Sequence, residues 1–396
     1  MGDTAWSLAV NLQQSEIVEY LDNRKAKGFN AFNVNLIEHY YDKQTPPANA
    51  YGNGPFLTPG DFSTPNNNYW TLIDFIFQQA AARKMLVLAF HSYQGYGGGS
   101  EGWYQEMAAS GASKLFTYGQ FLGNRYRSFN NILWMAGGDY DAPDKTLCRA
   151  VVNGINSAMP NAMHSYHGAR RTDALSYWAG DLNWFKVNAL YDSMDTSQTL
   201  ANTAYTSPNW KPFFRIEDTY EQSAKPDRQI RMLAYGSVLQ GGMGAVYGHV
   251  AVWPFGGPYV VASPLTWRQA MDSACAASMT QFYTLFASRQ WTKLVPDYNT
   301  RTFMTSGWGA NPDFGFAALA GDRSFGIAYV ANGAAGLTIN LAQLAGPNVW
   351  CRWFDPTNGT LSSIGAFTNA GSRTFTSPGN NAGGHSDWVL LLESSN

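Results

Sequence analysis

Two short stretches of this 396-residue chain are built like strands that end in an acid. In Asn131–Asp144 (NILWMAGGDYDAPD) an apolar run meets two glycines and then Asp139. In Lys211–Glu221 (KPFFRIEDTYE) an apolar run meets Glu217. Two such strands in one sheet can deliver a pair of carboxylates. That pair suits cleavage of a glycosidic bond through an oxocarbenium-like transition state: one acid protonates the leaving oxygen, and the other attacks the anomeric carbon or activates water. The two stand roughly 5–5.5 Å apart in retaining enzymes and roughly 6.5–9.5 Å apart in inverting ones. Alternation sets Phe213, Arg215 and Glu217 on one face of their strand. With that face inward, Arg215 would hold Glu217 ionised, and Glu217 would keep Asp139 protonated. A strand-end acid can equally be a helix cap or a loop salt bridge. Asp218 and Glu221 lie past one strand, Asp141 and Asp144 past the other, so all four rank behind. Gly137-Gly138 fits a turn needing positive φ or close backbone approach.

His91, His167, Tyr191, Tyr247, His249 and Trp253 fall at expected strand ends and are candidates to line a pocket. The chain has 14 Trp and 22 Tyr, most of them expected in the core, but flat rings also suit the C–H edges of a sugar. Other chemistries find little support. His164 and His167 are three apart on a strand and point to opposite faces; no HExxH or Cys/His cluster exists, so neither metal nor cofactor is expected. The Gly95–Gly102 loop lacks the Gly-Lys-Ser/Thr ending of a phosphate cradle and reads as an active-site loop. His385-Ser386-Asp387 holds triad letters in a turn, and no G-x-S-x-G elbow appears. A net charge of -2 gives no basic footprint for nucleic acid. No apolar run is long enough to span a membrane. Cys148, Cys275 and Cys351 form no disulfide framework. Gly2–Trp6 already reads as structure rather than signal peptide, so the protein is expected either to act inside the cell or, the preferred expectation, to be exported with its leader absent from this chain.

Eight apolar runs could position these residues: 3–10, 29–37, 85–90, 132–136, 162–168, 185–191, 211–217 and 244–253. Each is followed by a helical pattern or a long loop, ending with a helix over 266–291. Short apolar strands alternating with helices are covered on both faces. The economical solution is a (β/α)8 TIM barrel, with a doubly wound open sheet second. Asp139 then ends the fourth strand and Glu217 the seventh, at the face that carries chemistry in such barrels. After about residue 296 the helical patterns stop. Short β runs at 314–320, 324–330, 337–341, 349–355, 372–376 and 388–392 predict a C-terminal antiparallel β-sandwich. The domains expected are 1–295 and 296–396.

GDTAW (Gly2–Trp6), YLDNRKAKGFNAFNVN (Tyr20–Asn35), NILWMAGGD, KPFFRIEDTYE and YGSVLQGGMGAVYG (Tyr235–Gly248) resemble the apiosidase-like barrel family of glycoside hydrolases. VWCRWFDPTNG (Val349–Gly359) and DWVLLLE (Asp387–Glu393) resemble the β domain that accompanies it, labelled a "putative collagen-binding" domain. The resemblance spans nearly the whole chain. It implies a retaining mechanism with Asp139 as acid/base and Glu217 as nucleophile, and release of apiose from a branched pectic polysaccharide. Trp6 and Asn35, which close two of these motifs, join Arg215 and the pocket candidates as expected substrate contacts. Tyr191-Asp192-Ser193-Met194 stands where the family has a Gln-Ser-Gly-His-like segment, a departure that bears on the substrate. Two other classes compete: a carbohydrate-binding protein on a dead barrel, and a barrel lyase or isomerase using His91 or His249 as base.

Overall fold

A computed structural model describes residues 1–193, 195–223, 225–258 and 261–395. Eight strands make one parallel sheet: β1 (Gly2–Thr4), β2 (Ala31–Asn35), β3 (Leu86–Phe90), β4 (Ile132–Gly137), β5 (His164–His167), β6 (Val187–Tyr191), β7 (Phe213–Glu217) and β8 (Val246–Tyr247). Their order is β7-β6-β5-β4-β3-β2-β1-β8, and a parallel bridge from Arg215 to Ala245 joins its two ends. This is the (β/α)8 barrel. Helices α1 (Leu8–Asn11), α2 (Gln14–Ala26), α3 (Asn67–Ala82), α4 (Tyr104–Tyr126), α5 (Lys145–Ala158), α6 (Ala174–Tyr177), α7 (Ser197–Thr206), α8 (Asp227–Leu239), α9 (Trp267–Ala270) and α10 (Ala274–Ala287) fill the connections.

Local sequence explains these elements. In α3, Tyr69, Trp70, Ile73, Ile76, Phe77 and Ala80 recur at helical spacing and are buried, and the Asn66 side chain caps the start. Asp144 caps α5 by accepting from the Thr146 N–H at 2.9 Å, so this acid is structural. Helices α4 and α5 meet backbone to backbone. A Cβ on Gly154 would lie 2.2 Å from the Phe116 carbonyl oxygen, and one on Gly119 2.2 Å from that of Val151. Buried Asp3 pins β1 to α2 through Arg24 Nε at 2.5 Å and Tyr20 Oη at 2.7 Å.

Three expected elements are corrected. The run 3–10 is strand only to Thr4, because Leu8 and Val10 bury themselves on the helical turn α1; an apolar run does not distinguish the two. The run 244–253 is strand only at Val246–Tyr247, since His249 Nδ1 and its carbonyl accept the N–H groups of Ala251 (3.0 Å) and Val252 (3.0 Å) and turn the chain. The closing helix is two, α9 and α10, with Ser273 capping the second.

The C-terminal part is antiparallel. One sheet orders β10 (Met304–Ser306), β14 (Leu337–Asn340) and β17 (Ser372–Phe375). The other orders β11 (Gly309–Ala310), β12 (Asp313–Ala320), β13 (Phe325–Val330), β18 (Trp388–Ser395), β15 (Asn348–Phe354) and β16 (Leu361–Thr368), with β9 (Leu294–Pro296) beside β12. Phe303, Trp308, Val349, Trp353, Trp388 and Leu390 lie in the core of this β-sandwich. β16 (LSSIGAFT) has no apolar stripe, which is why sequence reading passes over it.

The contacts divide the chain into two compact units, Met1–Tyr191 with Gly248–Met271, and Asp192–Tyr247 with Asp272–Asn396. In the second, α8 is buried from Gln229 to Leu239. Arg231 holds buried Asp387 with two bonds of 2.8 Å, and Tyr329 adds its hydroxyl at 3.0 Å. Tyr235 stacks on Tyr329 with centroids 5.1 Å apart, and Gly236 leaves room for the Phe316 ring. Asp387 is thus a structural anion rather than part of a triad.

Candidate active site

In the first unit the site grows from the end of β4, where all six residues are buried. The chain then turns through Gly137 (φ 85°), Gly138 (φ 114°) and Asp139 (φ 51°). Both glycines are required by space. A Cβ on Gly137 would lie 2.3 Å from the His167 carbonyl oxygen, and one on Gly138 2.3 Å from the Tyr93 ring. The Gly138 N–H donates to that same carbonyl at 2.7 Å, which fixes the turn to the end of β5.

Asp139, half-buried, is held beside Tyr93, whose hydroxyl lies 2.8 Å from Asp139 Oδ2 and 2.5 Å from Glu101 Oε1. Burial first, then the two carboxylates, pushes the Tyr93 phenol well above its ordinary range, so it stays protonated. Tyr41 is raised by the same causes, burial first and then Glu101, Glu38 and Asp139. The Asp139 N–H stands 3.4 Å from His167 Nδ1. The His167 ring packs 4.9 Å from Tyr191, 5.5 Å from Phe90 and 6.4 Å from Trp6, and Trp6 sets its edge 5.1 Å from Tyr93. Trp6, His167 and Tyr191 are therefore gathered around Asp139. Trp253 meets Tyr41 edge-on at 4.7 Å. Asn35 faces a different acid, donating to Glu38 Oε2 at 3.0 Å. Burial pushes Glu38 up to about 7.

In the second unit Glu217, also half-buried, ends β7 and accepts from the Tyr220 hydroxyl at 2.8 Å. Arg215, expected to hold Glu217 ionised, serves two other acids. Its guanidinium pairs with Asp192 and Asp218, both at 3.4 Å, and donates to the Ser197 carbonyl at 3.2 Å. The long side chain reaches past the strand face to acids on two loops. Asp192 belongs to the departing segment 191–194, whose Met194 lies outside the described residues.

Other expected contacts are spent inside the fold. Tyr247 is buried and donates its hydroxyl to Glu221, which also accepts from Ser273 at 2.6 Å. His91 is buried with Nδ1 2.8 Å from the Ser92 hydroxyl, and His249 is buried with Nδ1 on the Ala251 N–H. Burial lowers both imidazoles, to about 3 and about 4, so both are neutral near pH 7. Arg215, His91, Tyr247 and His249 are all exposed by 3% or less. His164 faces Asn156 and Trp184 while His167 faces Trp6, the opposite directions that strand alternation predicts. Asp141 accepts from the Ala169 N–H at 3.1 Å and from the Thr172 hydroxyl, anchoring the loop after β5.

Sequence reading missed Tyr41, Tyr93, Glu101 and Glu38. One signal was available for Glu101: it is the sole acid of the loop Gly95–Gly102.

A family model described as "Apiosidase-like, catalytic domain" matches residues 1–293. The chain belongs to this family. Residues 311–393 match a model described as "Putative collagen-binding domain of a collagenase". No curated protein matches the sequence. Among solved structures, one named glycoside hydrolase superposes with a TM-score of 0.84 at 21% identity, covering 100% of this chain and 92% of its own. A glycoside hydrolase family 5 protein from Bacteroides vulgatus gives 0.85 at 22%, covering 99% and 88%. These likenesses share the fold. As an apiosidase-like protein the chain is a glycosidase acting on carbohydrate. No helix among the described residues is long and apolar enough to cross a membrane.

Proposed function

We propose that this apiosidase-like protein is a retaining glycosidase in which Asp139 is the acid/base and Glu217 the nucleophile. The observation that carries the reading is one of placement and elimination. Asp139 and Glu217 follow the C-terminal ends of β4 and β7 of one parallel barrel, and both are half-buried. The acids near them have other work: Asp141 and Asp144 anchor or cap, Asp218 pairs with Arg215, and Glu221 is buried among hydroxyls. Asp139 gives its proton to the leaving oxygen as the C–O electron pair departs, while Glu217 attacks the anomeric carbon. Asp139 then takes a proton from the water that releases the sugar. Trp6, His167, Tyr191 and Trp253 supply the flat faces and polar edge of a sugar subsite. The substrate class we favour is a plant or microbial polysaccharide or oligosaccharide, with terminal apiose of a branched pectic polysaccharide first.

The test is turnover of aryl furanosides, aryl pyranosides and pectic oligosaccharides by wild type, Asp139→Ala and Glu217→Ala, with product configuration read by NMR. Glu217→Ala should be inactive, and Asp139→Ala should keep activity only on substrates whose leaving group needs no proton. Wild-type rates in both variants would reject the pair, and an inverted product would reject the retaining mechanism.

A further inference from the structure

We propose that Glu101 is a positioning residue for the acid/base step, holding the Asp139 carboxyl proton in place through the Tyr93 hydroxyl; this rests on the assignment of Asp139 above. Tyr93 is 2% exposed, and its hydroxyl has one proton to give, yet it touches two carboxylates. With both acids ionised, one contact would set oxygen lone pairs against each other. Every contact is satisfied when Tyr93 donates to Glu101 and the Asp139 carboxyl donates to Tyr93. Glu101 is the better placed of the two to carry the charge, because it also accepts the Tyr96 N–H and hydrogen-bonds the Tyr41 hydroxyl.

The loop is built to hold Glu101 there. Gly95 (φ 84°) and Gly102 are pressed together: a Cβ on Gly102 would lie 2.2 Å from the Gly95 nitrogen. The Tyr96 N–H donates to Glu101 Oε1 at 3.3 Å, and the Tyr41 hydroxyl hydrogen-bonds the same carboxylate. The titratable groups around this network include Tyr41 and Glu38 after β2, Tyr93 and Glu101 after β3, and His167 on β5. When Asp139 passes its proton to the leaving oxygen, the Tyr93 O–H turns from Glu101 to the new Asp139 carboxylate. It turns back when Asp139 takes a proton from water. Neither Glu101 nor Tyr93 gains or loses a proton over the cycle.

The experiment compares wild type, Glu101→Gln, Tyr93→Phe, Asp139→Ala and the double variant Glu101→Gln/Asp139→Ala on aryl glycosides of graded leaving-group acidity. General acid catalysis contributes about 10²–10⁴-fold, and Glu101 should hold about tenfold of it. Glu101→Gln should therefore fall about tenfold on poor leaving groups, stay within about twofold on dinitrophenyl substrates, and add nothing to Asp139→Ala. An even fall across the series, or a loss that multiplies with Asp139→Ala, overturns the inference while leaving Asp139 as the acid. An even fall in Asp139→Ala itself removes the assignment and the inference together. A second measurement needs no substrate: carboxyl ¹³C NMR should show Asp139 titrating at lower pH in Glu101→Gln than in wild type, and an unchanged titration refutes the proposal.

Discussion

Replacing Gly138 with alanine tests whether the turn that carries Asp139 is as constrained as its geometry says. Two separate costs apply. At φ 114° an L side chain is strained, which costs about 1–2 kcal/mol. The new methyl would also lie 2.3 Å from Tyr93 Cδ2, on a ring buried against Trp6, and such overpacking costs about 1–3 kcal/mol. Together they predict a loss of about 2–5 kcal/mol, a fall in Tm of roughly 2–6 °C for a chain of this length. The ring cannot yield without moving the hydroxyl that touches Asp139, so kcat should fall well beyond what unfolding explains. Gly97→Ala is the control, since Gly97 has φ 60° but nothing within 4 Å of its would-be Cβ. It should cost only about 1 kcal/mol. Differential scanning calorimetry and kcat at a temperature where both variants are folded decide the matter. If Gly138→Ala melts like Gly97→Ala, or works at the wild-type rate, the argument from close approach is wrong.

Further outcomes can be stated for the rest of the molecule. Asp387→Asn leaves Arg231 buried beside a neutral partner and should cost about 3–5 kcal/mol in urea unfolding, whereas Arg231→Met/Asp387→Leu should recover most of it. Glu38 rises from 4.5 to about 7, so between those values the folded state binds a proton that the unfolded state has released. Its contribution to stability therefore falls as pH climbs through that window, by roughly 3 kcal/mol. Glu38→Gln should flatten the decline, and melts at pH 5 and pH 8 with the same slope in both proteins would reject the claim. Gly154→Ala should push α5 from α4 at a cost of about 1–3 kcal/mol while the folded enzyme keeps its rate, measured by thermal melts beside activity per folded molecule.

The barrel was legible because its strands are short, apolar and separated by helices with clear caps; LVLAF and ILWMAG allow little else. The places of Asp139 just past β4 and of Glu217 at the end of β7 were legible because each closes such a run. Partners were not. Nothing in the spelling of Arg215 says that its guanidinium reaches both Asp192 and Asp218. Nor does a tyrosine two residues past His91 announce that its hydroxyl lies between Glu101 and Asp139. Such choices are made by loops from different connections meeting in space, and local periodicity carries no record of them. The burial of His91 and His249 was hidden for a related reason. Strand ends in a barrel include interior positions as well as the open rim, and burial separates the two only after folding.

The anchoring of α8 by the C-terminal sheets has a consequence in the order of synthesis. Glu217 and the helix behind it leave the ribosome about 170 residues before Asp387, Arg231's partner. At about 5–20 residues per second that is a wait of roughly 10–30 s. Through that interval α8 lacks the Asp387 carboxylate, and for the first two thirds of it the Tyr329 ring as well, so the strand carrying Glu217 has no finished support. A truncated chain that stops before residue 387 would be a barrel with an unsupported last quarter rather than a smaller enzyme. The support behind the strand that carries Glu217 is thus completed only when the segment at residue 387 has been made.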